Sequence, residues 1–171
     1  MNHDFFNFDE YKLKILDKTD YEIIKNLYEK CSDYFILSSN TKASNEDINE
    51  LLFKLPPNKT LEDKFIFGMF LKDNLIGVID LIKNFPEKYE WIIGLFLIDP
   101  SKRKQGFGKM FHNKLLEFAK SNNAKSIRIG VIEENIDGIK FWENIGYKKT
   151  DEISMKIKNK NHIVDIMKLK L

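Results

Sequence analysis

The stretch Asp99 to Phe111 reads DPSKRKQGFGKMF, with Gly106 and Gly108 set among Lys102, Arg103, Lys104 and Lys109 and leading straight into an apolar segment. Glycines this close together at the start of a helix let a backbone approach a partner. The first N–H groups of a helix have no intrahelical acceptor and lie at its positive dipole end, so phosphate or pyrophosphate is the guest they suit. Two familiar phosphate loops are excluded by spacing. A P-loop needs glycine where Arg103 stands and a hydroxyl residue where Met110 stands. A dinucleotide fingerprint needs a third glycine at Phe111. What remains is a strand, Asp99-Pro100, R-x-x-G-x-G and a helix. The competing reading is a glycine-eased helix start with solvated lysines.

A second stretch, NIDGIKFWENIGYKK from Asn135 to Lys149, follows the next strand. It sets a polar residue at a strand end, then the aromatic pair Phe141-Trp142 on a short helix, then Gly146-Tyr147. Alone, such an aromatic pair reads as core.

Together the two stretches resemble the GNAT superfamily of N-acetyltransferases. That family carries a Q/R-x-x-G-x-G/A loop, matched by Arg103, Gly106 and Gly108. It also carries N-x-x-A/G-x-x-F/L-Y/W-x-x-x-G-F/Y, matched by Asn135, Gly138, Phe141, Trp142, Gly146 and Tyr147. The resemblance implies acetyl-CoA as cosubstrate, with no metal. Its pyrophosphate would lie on the amides of Lys104, Gln105, Gly106, Phe107, Gly108 and Lys109, and its pantetheine arm would pair with the backbone of Phe96, Leu97 and Ile98. Asn135 would face the arm, with Phe141 and Trp142 near the sulfur. A backbone amide of the strand would stabilise the oxyanion. The chain departs from the family in one place. Trp142 stands where many members place a tyrosine acid, so Tyr147, Tyr89 or a water takes that role, or the thiolate leaves unaided. Glu90 is the first candidate for the base, with Asp80, Glu133 and Glu134 as alternatives. The acceptor implied is the amine of a small molecule. A protein amine, or a CoA-binding module without turnover, are the competing readings. A homodimer is a common state in the family.

The composition agrees with these expectations. At 171 residues, 43% hydrophobic and 32% charged, residues 1–171 read as one globular domain. A net charge of +2 argues against nucleic acid or a membrane surface as partner. Arg103 and Arg128 are the only arginines and Cys31 the only cysteine, so neither a disulfide nor a cysteine metal site is expected. The start, MNHDFFNFDEY, lacks the basic and apolar regions of a leader, and no apolar run approaches the roughly 18 residues of a membrane span. Cytoplasmic location is the expectation. His3, His112 and His162 carry no motif.

The elements that must position these residues follow from periodicity. YKLKIL from Tyr11 alternates as a strand. TDYE from Thr19 has capping-box spacing, and Tyr21, Ile24, Leu27, Tyr28 and Cys31 then share a helical face. Ser44 to Leu55 reads as a helix stopped by Pro56-Pro57. KFIFGMFL and LIGVIDLI flank Lys72-Asp73-Asn74 as a hairpin. Trp91 to Ile98 suits a central strand buried on both faces. A helix from Gly106 to Lys120, a strand from Ser126 to Ile132, a helix from Asp137 to Asn144 and a closing hairpin complete the chain. The fold class expected is α+β: a mostly antiparallel seven-stranded sheet flanked by helices, with one parallel pair in the unit from Trp91 to Val131. The segment SSNTKASNED, with Tyr34 and Phe35 before it, would wall the acceptor.

Overall fold

A computed structural model describes residues 4–8 and 10–171, the first stretch by its backbone; His3 lies outside them. The order is β1 (Asp4–Phe8), β2 (Tyr11–Ile15), α1 (Tyr21–Lys30), α2 (Ser32–Ser39), α3 (Asn45–Phe53), β3 (Lys64–Leu71), β4 (Asn74–Ile82), β5 (Glu90–Ile98), α4 (Phe107–Ser121), β6 (Ser126–Ile132), α5 (Ile136–Asn144), β7 (Lys148–Ile157) and β8 (Lys160–Lys170). The strands form one sheet in the order β1-β2-β3-β4-β5-β6-β8-β7. Every neighbour is antiparallel except β5 and β6.

The fold class is the expected α+β. Two elements are additional to the expectation. DFFNF forms β1, an edge strand on β2. SDYFILSS forms α2, directly after α1, so Tyr34 and Phe35 lie on a helix and Phe35 packs on Tyr28 with ring centroids 4.8 Å apart. Neither has a clear signature. α2 is apolar around most of its circumference and begins only one residue after α1 ends. The N-terminal capping box is also displaced. It joins Asp17 and Asp20 around a short 3-10 turn, and α1 begins at Tyr21. Ser44 and Asp47 form the box that starts α3.

The sheet separates two cores. On one face, here the front, α1 and α3 bury Ile24, Leu27, Tyr28, Ile48, Leu51 and Leu52 against Ile66, Val78 and Leu97. On the other, the back, α4 and α5 bury Phe111, Leu115, Ala119 and Trp142 against Phe67, Ile79, Trp91 and Ile129. α4 supplies the apolar stripe expected of it, and the continuous apolar character of β5 reflects a strand with helices on both sides. Trp91 anchors the back core: its ring stacks on Phe65 (6.0 Å, interplanar angle 5°) and meets Phe118 edge-on. No helix among the described residues is long and apolar enough to cross a membrane.

Trp91 is fully buried, so Trp91→Ala leaves a large cavity beneath β5. A loss of about 3–5 kcal/mol is expected, measured by urea unfolding of the two proteins.

Candidate active site

The parallel ladder between β5 and β6 is short. It pairs Glu90 to Ile93 with Ser126 to Ile129 and stops. The next residues in the same register are Gly94 and Gly130, both exposed. Beyond them β5 stays on β4 to Ile98 while β6 stays on β8. The strands fork, and neither strand carries a side chain of its own at the fork. Gly94 is also a β-bulge, because Asp80 pairs with Leu95 and Leu81 with Ile93. The extra residue resets the alternation: Trp91 and Ile93 face the back, Leu95 and Leu97 the front, and Phe96 the back again. Both glycines are close-approach positions. A Cβ on Gly94 would lie 2.9 Å from Asp80 Oδ2, and one on Gly130 would lie 3.0 Å from Val164 Cγ1.

The loop sits at the open end of β5. The Asp99 carboxylate accepts from the Ser101 amide at 2.9 Å and starts a 3-10 turn. Arg103 is turned inward: its Nε donates to the Ile98 carbonyl at 2.9 Å and its guanidinium pairs with Asp33 of α2. That hydrogen bond, ahead of other causes, holds the Asp33 carboxyl below its ordinary range. Arg103 therefore ties the loop to the end of β5 and to α2. Lys104 and Gly106 have φ of 59° and 88°. Gly106 is required by conformation, since a Cβ there would meet nothing within 4 Å. Gly108 is required by packing, since its Cβ would lie 3.1 Å from Phe141 Cε2. No side chain among the described residues caps α4. The first backbone bond back into the helix comes from the Met110 amide to the Gly106 carbonyl. The amides of Phe107, Gly108 and Lys109 precede that bond and point out of the helix end.

Behind the fork, Phe96 contacts Phe111, Phe141 and Trp142 at 5.7, 5.7 and 5.4 Å between centroids. The second motif thus meets the first through Phe141 on Gly108 and Trp142 on Phe96. Asn135 has a local duty: its Oδ1 accepts from the Gly138 amide at 3.0 Å and caps α5. Gly138 has no Cβ because one would lie 2.5 Å from Asn135 Nδ2. Tyr147 is buried, with its hydroxyl 2.9 Å from His112 Nε2 and its ring against Trp142. Burial pushes its hydroxyl far above the ordinary value, so this hydroxyl faces the core and not the fork.

In front, α2 braces the open fork. Arg103 holds its first turn to the end of β5. At its other end the His162 Nε2–H and Lys160 Nζ of β8 donate to the carbonyls of Ser38 and Leu37, each at 2.8 Å. Lys158, in the β7–β8 turn, pairs with Asp47 of α3 at 2.8 Å. A Glu134 carboxylate oxygen lies 3.2 Å from His162 Nδ1, and Glu133 is exposed beside it. Glu90 lies at the closed end of the ladder, four residues before Gly94, or about 13 Å along the strand. Its carboxylate is held by Lys168 at 2.8 Å, Ser126 at 3.3 Å and Arg128 at 3.9 Å. Tyr89 lies beyond it, its ring flanked by Lys88 and Lys125. The arrangement therefore brings the loop, Phe96, Phe141 and Trp142 together and leaves Glu90 and Tyr147 apart from the fork. Cys31 is buried, and burial pushes its thiol up to about 11, which removes it as a nucleophile at neutral pH.

Comparison with known proteins gives the family. Residues 13–168 match the model of the acetyltransferase (GNAT) domain, and the chain belongs to that family. It is similar to the uncharacterized N-acetyltransferase YvbK of Bacillus subtilis, 27% identical over 112 residues that make up 63% of this chain and 71% of the relative. Among solved structures, a ribosomal-protein-S5-alanine acetyltransferase from Vibrio fischeri superposes with a TM-score of 0.74 at 19% identity, covering 96% of this chain and 95% of that one. A spermidine N-acetyltransferase chimera from Vibrio cholerae and hSSAT gives 0.70 at 20%, covering 95% and 96%.

The His112–Tyr147 pair carries a pH signature. Burial pushes the His112 imidazole down to about 4 from an ordinary 6.5. Between those values the unfolded chain takes up a proton that the folded chain refuses. The contribution of neutral His112 is full above about pH 6.5 and is lost as the pH falls toward about 4. Thermal unfolding followed across that window should show a shallower slope in His112→Gln than in the wild type.

Proposed function

We propose that the chain transfers an acetyl group from acetyl-CoA to the primary amine of a small molecule. The observation that carries this reading is the fork at Gly94 and Gly130 with the uncapped amides of α4 at its mouth. The residues present fit the donor. Amides from Lys104 to Lys109 suit a pyrophosphate, because Gly106 leaves open space there and the helix end is short of acceptors. Lys104, Lys109 and Lys102 add charge around them. The edge of β5 that β6 abandons, at Phe96, Leu97 and Ile98, offers an open strand edge to an extended arm, with the Ile98 carbonyl already held by Arg103. Asn135 Nδ2 is left over by the cap and suits the same arm. Phe141 and Trp142 exclude water behind the fork. Bound there, acetyl-CoA supplies an activated acyl carbon. Backbone dipoles at the bulge suit the charge that develops on its oxygen.

On the acceptor side, α2 spans the front of the fork, and Lys158 is tied to Asp47 of α3. Elements laid across the front favour a small amine over an extended polypeptide in this reading. The spermidine enzyme supports this choice and the ribosomal-protein enzyme the alternative. Tyr147, spent on His112, and Glu90, spent on Lys168, take positioning parts in this reading. The thiolate leaves by taking the proton released from nitrogen, directly or through water.

Two measurements test the reading. In calorimetry, acetyl-CoA should bind the wild type, and Lys109→Glu should weaken it on the order of tenfold, with a smaller difference at high salt. A panel of polyamines, amino acids and aminoglycosides should include a compound that releases free thiol from acetyl-CoA. Binding indifferent to Lys109→Glu would remove Lys109 from the donor site, and absence of acetyl-CoA binding to the wild type would remove the site itself. Tight binding with no thiol released from any amine or peptide would leave a CoA-binding module.

A further inference from the structure

We infer that Asp80 on β4 is the docking point for the acceptor's ammonium and the group that takes its proton, working through the opening between Gly94 and Gly130. The inference rests on the acetyl-transfer reading above.

Asp80 is the carboxylate at the fork. It pairs across the ladder with Leu95, immediately after the bulge. Its two oxygens have different surroundings. Oδ1 lies 2.7 Å from Lys64 Nζ, and that ammonium is 2% exposed and also donates to the Lys54 carbonyl at the end of α3. Oδ2 lies over Gly94, 2.9 Å from where a Cβ would be. Lys64 therefore fixes the carboxylate with one oxygen presented to the bare backbone of the fork. A side chain at position 94 would push the carboxylate away from the fork, so glycine is what lets Asp80 reach the β5 backbone there.

The surroundings suit proton transfer. Burial raises the Asp80 carboxyl above its ordinary value, and Lys64 only partly offsets this. A carboxylate so raised is closer to the operating pH and takes a proton more readily than an exposed one. The charged and titratable neighbours on the packed elements are Lys64 on β3 and Tyr28 on α1. Tyr28 is fully buried, and its hydroxyl is raised first by burial and then by the Asp80 charge. Glu90 contrasts with Asp80: it is pinned among Lys168, Ser126 and Arg128 at the closed end of the ladder.

The step balances. An N–H bond of the ammonium breaks and an O–H bond forms on Asp80. The freed nitrogen pair forms the C–N bond to the acyl carbon. As the C–S bond breaks, the thiolate leaves with its electron pair and takes the second nitrogen proton. Asp80 then loses its proton to solvent at the front. The acceptor class is a cationic primary amine.

The test pairs kinetics with a titration that needs no acceptor. With the amine selected by thiol release, Asp80→Asn should lower kcat/KM by about 10²-fold or more, abolish the acidic limb of the pH profile and leave acetyl-CoA affinity within about twofold. Asp80→Glu should restore part of the rate. In carbon-13 NMR of the labelled wild-type protein, the Asp80 carboxyl should titrate above the ordinary carboxylate range, and Lys64→Met should move it higher. A wild-type rate and pH profile in Asp80→Asn overturns the proposal, as does an Asp80 carboxyl titrating at or below the ordinary value, whether or not the asparagine variant folds. Loss of the donor reading shows separately, as absence of acetyl-CoA binding to the wild type.

Discussion

The parting of β5 from β6 is the constraint on which the site depends. Two neighbouring strands that lose their ladder leave backbone groups unpaired, and unpaired buried groups are costly. The chain tolerates this because each strand keeps a partner on its other side: β5 stays on β4 and β6 on β8. Glycine at both fork positions keeps the gap open to both faces. The brace by α2 then holds the fork at its open end. It is fastened to the β5 side by Arg103 and to the β8 side by His162 and Lys160. Arg103 is a fastener in this structure, and the anion site is left to the amides. An arginine on the pyrophosphate would have left α2 without its anchor on the β5 side.

The glycine loop and the helix it starts were legible in the residues because they rest on local rules. Glycine with positive φ at 106, an uncapped helix start and an asparagine cap at 135 are all properties of short segments. Gly106 and the helix start could be read from spacing, and the structure shows both there; the capping role of Asn135 was not foreseen. Their reasons differ in detail. Gly108 is demanded by the Phe141 ring, which belongs to the other motif, so spacing showed the glycine without its cause. The Asn135 side chain is engaged first in holding its own helix. Most strands were legible from alternation. β1 and α2 were not, because DFFNF and SDYFILSS have neither clean alternation nor a one-sided stripe.

The acceptor half was poorly legible for a physical reason. Which carboxylate serves a fork depends on register, and register is a pairing between distant segments. In the linear chain Glu90 comes first, with Asp80 among the alternatives. The bulge at Gly94 sets their different surroundings. It brings Asp80 opposite the point of parting and leaves Glu90 at the closed end of the parallel ladder, where Lys168 and Arg128 neutralise it. Two facing glycines separated by 36 positions (130 less 94) give no local signal at all.

The tryptophan at 142 makes a related point about the leaving group. Its ring fills the space between Phe96 and the His112–Tyr147 pair. An indole N–H can donate a hydrogen bond but cannot serve as an acid at neutral pH. The nearest hydroxyl, on Tyr147, is turned into the core, where a neutral His112 shares its hydrogen bond and burial keeps the phenol protonated. Behind the fork, then, the chain provides packing and exclusion of water with no proton donor within the cluster. A thiolate formed there must draw its proton from the acceptor nitrogen or from solvent. That places the proton chemistry of the site on the front face, where Asp80 and its lysine stand, and gives the back face the task of shape.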